Sequence, residues 1–193
     1  RRATLVAMST NLSSADLGAA LAAIVGADHV AMDAAERRDF SRDLFPWDDA
    51  PVALAVAAPG TVEEVQALAR AASRLDVDIV VRGGGMSTGR SYVPATARSV
   101  IVDLRRLNRV REINAADRYV VCEAGCTWEA LYKALPKDWV LETHAPSSGN
   151  YSTVGGALAH GYPSGLKGVL GVEVVRASGE VLRTGSWGRS GDA

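Results

Sequence analysis

The sequence predicts an α+β protein, and three observations carry that reading. A short apolar run (residues 52–57), an amphipathic helix and a second apolar run (residues 78–81) follow within about thirty residues, the pattern of a βαβ unit with parallel strands. Further on, residues 110–113 and 119–123 flank the turn Ala115-Ala116-Asp117-Arg118. Near the end, residues 169–176 and 180–184 flank Ala177-Ser178-Gly179, a second hairpin signal. The chain thus begins as α/β and continues as α+β.

The elements follow in order. The opening Arg1-Arg2 and a short apolar stretch to Met8 read as a vector remnant ahead of a natural start, since the stretch is too short for an export signal. Ser13 or Ser14 caps a first helix with Leu17, Leu21, Ile24 and Val25 on one stripe, and Gly26 ends it. Residues 28–49 mix charged and aromatic residues around Pro46 and read as a wrapping segment with little regular structure. After the first strand, Pro59-Gly60 turns and Thr61-Val62-Glu63-Glu64 forms a capping box. The helix it opens places Val62, Val65, Leu68, Ala69 and Ala72 on its inner face. Residues 99–104 form another strand, and Thr127 caps a helix carrying Trp128, Leu131 and Leu135, with Pro136 at its end. Ser190-Gly191-Asp192-Ala193 completes no element and reads as a chain cut short.

Composition excludes several classes. The chain has 193 residues, 48% apolar and 22% charged, which is globular and neither a disordered tail nor a rod. A net charge of -1 gives no general attraction to nucleic acid or anionic lipid. No apolar stretch approaches the roughly 20 residues of a membrane helix. Cys122 and Cys126 make no disulfide framework, so a soluble, cytoplasmic protein is expected.

Two glycine-rich tracts are the chemical candidates. Arg82-Gly83-Gly84-Gly85-Met86-Ser87 follows directly on a buried strand. Successive amides there could form a nest for an anion, phosphate above all, or simply a tight turn. It is neither a Rossmann fingerprint, since Thr88 stands where the third glycine belongs, nor a P-loop. The second tract runs from Pro146 through Ser147, Ser148, Gly149, Tyr151 and Thr153 to Gly155, Gly156, His160 and Gly161. Ser152 would cap a helix from Thr153 whose first amides bind an anion; close packing of the glycines explains the tract equally well. His144 and His160 flank this tract, and His29 reads as a surface residue. Nothing in the spacing brings the two sulfurs together, so buried inert thiols are expected, with no metal. Asp48-Asp49 and the run Arg105, Arg106, Arg109, Arg111 read as solvated faces.

Taken together, six segments in succession resemble a known family. They are residues 59–65, 82–87, 102–108 (Val-Asp-Leu-Arg-Arg-Leu-Asn), 123–128 (Glu-Ala-Gly-Cys-Thr-Trp), 152–156 (Ser-Thr-Val-Gly-Gly), and 171–175 with 179–181. This order resembles the FAD-binding domain of the vanillyl-alcohol oxidase and p-cresol methylhydroxylase (PCMH-type) flavoproteins, nearest the glycolate oxidase and D-lactate dehydrogenase type. The resemblance covers about residues 52–185.

It implies a two-lobed PCMH-type fold: a small βαβ lobe (residues 51–98) and a larger lobe of mixed or antiparallel sheet with helices (residues 99–193). The larger lobe would be truncated at its C-terminal end, and residues 1–50 would form the N-terminal helix and wrap. FAD would lie extended between the lobes. Arg82, Gly83, Gly84, Gly85, Met86 and Ser87 would wrap the diphosphate. Pro146, Ser147, Ser148, Gly149, Thr153, Gly155, Gly156, His160 and Gly161 would line the other side, and Val174 would offer backbone groups to the adenine. Some members attach FAD through a His in the first loop or a Cys in the second; Met86 and Tyr151 stand at those positions, implying non-covalent FAD.

The implied activity is oxidation of a small alcohol-type substrate, a 2-hydroxy acid such as glycolate or D-lactate, with hydride passing to the flavin. An aldose or lactone oxidase, a cell-wall-precursor reductase, or a non-catalytic flavin-binding subunit are the alternatives. The cap domain that carries the substrate pocket in relatives is expected to lie outside this chain. This chain alone is therefore expected to be inactive, to meet a second copy or a partner chain bearing the cap, and to contain no assignable catalytic base.

Overall fold

Residues 99–103 form the strand around which the first unit is organised. The computed structural model describes residues 13–45, 47–142, 145–161 and 167–185. The expectations placed on residues 1–12 and 186–193 and on His144 lie outside them. Strands β1 (Val30–Ala31), β2 (Ala55–Ala57), β3 (Asp78–Arg82) and β4 (Ser99–Asp103) make one sheet in the order β1-β2-β4-β3. β4 pairs parallel with β2 (Ala55 opposite Val100) and with β3 (Asp78 opposite Ser99), while β1 runs antiparallel on the far edge.

This corrects the expected division at residue 98, because residues 99–103 belong to the first sheet and stand between the two strands of the βαβ unit. The burial pattern explains it. All five β4 residues are buried, as suits a central strand, whereas Ile79 and Val81 of β3 are exposed, as suits an edge.

Two faces of the sheet are covered differently. Helices α1 (Ser14–Val25) and α3 (Val62–Leu75) pack Leu17, Leu21, Val25 and Leu68 against Ala55, Ala57, Val100 and Val102. Alternate residues point the other way, so Val56 and Ile101 meet Phe40 of helix α2 (Ala34–Phe40). Ser13 caps α1, and Thr61 Oγ1 accepts from Glu64 N while Glu64 reaches back to Gly60 N. Residues 28–49, expected to be irregular, contain β1 and α2. Asp33 accepts from Ala35 N and Glu36 N and so starts a helix that its polar sequence hides.

The second unit comprises the hairpin β5 (Val110–Asn114) and β6 (Tyr119–Cys122), helices α4 (Trp128–Ala134) and α5 (Val154–Ala159), and the hairpin β7 (Glu173–Val175) and β8 (Val181–Arg183). Its core gathers Cys126, Trp128, Leu131, Leu135 and Ala157. Gly125 fastens this unit to the first: its N–H donates to Leu107 O (2.7 Å), and a Cβ there would overlap the carbonyl of Leu104. Gln66 Nε2 of α3 donates to Gly179 O at 2.7 Å, so the turn between β7 and β8 rests on α3. The basic run is neutralised rather than free. Arg105 pairs with Asp103, Arg106 with Glu64, and Arg109 and Arg111 with buried Glu123.

Candidate functional site

β3 delivers Arg82 to the carboxyl end of the parallel strands, opposite Asp103, and the chain leaves the sheet there as the glycine loop. Crevices outside such strand ends are where open parallel sheets take ligands. The three glycines serve different ends. A Cβ on Gly83 would overlap Thr153 Oγ1, and one on Gly84 would overlap the carbonyl oxygen of Tyr151 and lie 2.7 Å from its carbon. Only Gly85 has a positive φ, +73°, and a Cβ there would strike the Arg82 guanidinium. Two glycines thus permit close approach of the second tract, and one permits the bend.

Beneath the loop lies Arg82. Its guanidinium carbon is 4.8 Å from the Phe40 ring centre and 5.2 Å from that of Tyr92. Its Nε is buried with no partner. Burial lowers its pKa below the ordinary value, and nearby Arg105 adds to this against the attraction of Tyr92 and Asp103. Tyr92 Oη donates to Gly85 O at 2.6 Å, and burial raises the phenol's pKa. Arg82 and Tyr92 together grip the loop from the sheet side.

The second tract hangs on α4. Ser152 O accepts from Trp128 N, Gly149 O accepts from Glu129 N, and Ser148 O accepts from both Tyr151 N and Ser152 N. One expectation fails here. Thr153, not Ser152, caps α5, which is only six residues long. Val154 N already donates to Cys126 O (2.8 Å), Gly155 N to Ala124 O (2.9 Å) and Gly156 N to Thr153 Oγ1 (3.2 Å). The helix end therefore has no free first-turn amides for an anion. Close packing, the alternative reading, holds instead: a Cβ on Gly155 would lie 2.7 Å from that of Ala124.

The amides left open are elsewhere. Among the described residues, the N–H groups of Gly84, Gly85 and Met86 in the first loop donate to no protein acceptor, nor do those of Ser147, Ser148, Gly149 and Asn150 in the second. Met86 and Ser87 are half-buried; His160 and Gly161 are exposed at the end of α5. Val174 is exposed on β7, paired with Leu182, in the hairpin anchored on α3 rather than in either loop. The structure thus brings residues 82–87 onto residues 151–153 and leaves Val174 on a separate element.

The sequence reading misses Phe40, Asp43 and Tyr92. Phe40 and Asp43 lie in the stretch taken as irregular, where the interleaving of charged and aromatic residues is the only signal. The two cysteines, whose spacing does not require them to face each other, lie together in the core of the second unit, and the Cys126 contact and burial push the Cys122 thiol up.

Interlocked glycine turns with unpaired amides, over a half-buried cation, fit a ligand carrying a diphosphate. The chain matches the FAD binding domain family over residues 53–185. It belongs to that family. This FAD-binding domain is 35% identical over 153 residues to a D-2-hydroxyglutarate dehydrogenase of Xanthomonas citri pv. viticola, covering 75% of this chain and 31% of the relative. It superposes with a TM-score of 0.75 and 28% identity on the 4-ethylphenol oxidase of Gulosibacter chungangensis, covering 92% of this chain and 36% of that one. On p-cresol methylhydroxylase the TM-score is 0.77 at 22% identity, covering 94% and 38%. The PCMH-type FAD-binding fold expected from the sequence is borne out. The domain spans about a third of the length of these proteins. Among the described residues, no helix is long and apolar enough to cross a membrane.

Proposed function

We propose that this domain holds FAD non-covalently and is the cofactor-binding part of an oxidoreductase acting on a 2-hydroxy acid. The observation that carries the reading is the contact of Gly83 and Gly84 with residues 151–153, which joins the loop bearing the open amides of residues 84–86 to the tract bearing those of residues 147–150. Residues 84–86 and 147–150 would hold the diphosphate, with half-buried Arg82 beneath supplying positive charge. Gly83, Gly84, Thr153, Gly155 and Gly156 serve by packing; Val174 would face the adenine from its hairpin. Bound FAD supplies the hydride acceptance, while this chain's residues bind and orient. Met86 and Tyr151 offer neither imidazole nor thiolate, which supports non-covalent attachment. The likeness to a D-2-hydroxyglutarate dehydrogenase supports a 2-hydroxy acid.

The purified protein should be yellow, and acid precipitation should leave the flavin in the supernatant; a yellow pellet refutes the non-covalent reading. Anaerobic bleaching of the flavin by D-2-hydroxyglutarate, glycolate or D-lactate tests the substrate, in the full-length protein with whatever further domain or partner chain completes it. The likeness to 4-ethylphenol oxidase favours a second reading, an alkylphenol. Bleaching by 4-ethylphenol and by no hydroxy acid would establish that one instead.

A further inference from the structure

We propose that Asp43 is a positioning residue of the cofactor loop, pinning its far end through the backbone of Arg90; this rests on the reading that residues 84–86 hold FAD. One carboxylate joins two segments distant in sequence. Asp43 Oδ1 accepts from Phe45 N (2.8 Å) and Trp47 Nε1 (2.9 Å), which draws Phe45 and Trp47 in around it. Its Oδ2 accepts from Arg90 N at 2.8 Å.

Arg90 needs such a hold. Its φ is +63°, a left-handed conformation that costs a non-glycine residue free energy and persists only where neighbours enforce it. Its side chain is held by the same segment, 4.8 Å over the Trp47 ring and paired with Asp49 at 3.0 Å. A second tie lies three residues back, where Leu44 N donates to Ser87 O at 3.1 Å. Residues 87–90 are therefore fastened at both ends by Asp43, Leu44, Trp47 and Asp49. The open amides of residues 84–86 lie just upstream, held on the other side by Tyr92 and Arg82. Nothing else among the described residues accepts from Arg90 N. A charged acceptor makes this bond stronger than one between neutral groups.

Asp43→Asn separates the two tasks, because an amide can accept on one side only and must present N–H to a donor on the other. Two measurements test the assignment: FAD titration of the apoprotein, read by flavin fluorescence, and amide hydrogen exchange. Expected are roughly tenfold weaker FAD binding and faster exchange confined to residues 84–91 in the apoprotein. Trp47→Phe, which keeps the carboxylate and its bond to Arg90, should leave FAD affinity within about twofold. Unchanged exchange at residues 84–91, or acceleration spread evenly over the chain, overturns the assignment, as does unchanged FAD affinity. If the wild-type protein binds no FAD, the cofactor reading falls, and exchange in the apoprotein alone still decides whether Asp43 pins the loop.

Discussion

Gly84 lies against the backbone of Tyr151 so closely that a single added methyl would overlap the Tyr151 carbonyl oxygen. The obstacle is main chain rather than a flexible side-chain tip, so no rotamer change relieves it. Gly84→Ala must push the two tracts apart, at a cost of about 1–3 kcal/mol by analogy with overpacked cores. Loss of FAD binding should exceed loss of stability, because the open amides of both loops would separate. Gly161→Ala is the control: among the described residues its Cβ meets nothing within 4 Å, and its φ is +65°. Flavin titration and thermal melts of both variants check this, with Gly161→Ala expected to bind FAD like the parent.

Arg82 presents a different dependence. Its guanidinium lies half-buried against Phe40 and Tyr92 with Nε unpaired, so both the stacking and the cation matter. Lysine keeps the charge but has no plane to lie along the rings. Arg82→Lys should therefore weaken FAD binding by roughly tenfold, corresponding to about 1.4 kcal/mol. Arg82→Met, which fills the space without charge, should weaken it further while costing the apoprotein little, since a half-buried cation with an unsatisfied Nε disappears. An apoprotein strongly destabilised by Arg82→Met would contradict that account.

Much of this was legible in residue pattern, and the failures have physical causes. The βαβ unit, both hairpins and the caps at Ser13, Thr61 and Thr127 follow from local chemistry that the structure repeats. Pairing order is not local. Val100, Ile101 and Val102 are uninterruptedly apolar, which marks a buried strand, yet nothing local says that it stands between β2 and β3. Glycine pairs have the same ambiguity. Gly155 and Gly156 suit an anion site or a tight contact, and only the neighbouring Ala124 carbonyl decides for contact. Helix α2 escapes notice because none of its residues is fully buried.

Glu123 governs the acid limb of stability. Burial works against its ionisation, but the hydrogen bonds from Arg109 and the charges of Arg109 and Arg111 outweigh it, and its pKa lies below the ordinary value of 4.5. A group whose pKa falls on folding contributes stability that is present above its unfolded value and is lost as pH drops through the folded one. Glu123 anchors the turn that joins the two units, since Cys126 N donates to its carbonyl and Arg109 N to its carboxylate. Melting temperature should therefore decline below about pH 4.5. Glu123→Gln should lower it at neutral pH, by an amount on the order of 1 kcal/mol because the arginines face solvent, and should flatten the decline. An equally steep acid limb in the variant would show that other carboxylates carry it.

Cys122 and Cys126 lie beside each other in the core of the second unit, with Cys126 fully buried. The Cys126 contact and burial hold the Cys122 thiol well above the usual range, so it stays protonated at neutral pH. The thiolate is the reactive form, and a buried partner meets no reagent. A maleimide at pH 7.5 should therefore label neither residue on the timescale on which it labels a free thiol, and should label both after denaturation. Cys126 also carries the carbonyl that receives Val154 N at the start of α5. Labelling that does occur in the native protein should thus be accompanied by loss of FAD binding; rapid labelling with affinity intact would show that the pair is neither shielded nor coupled to the second tract.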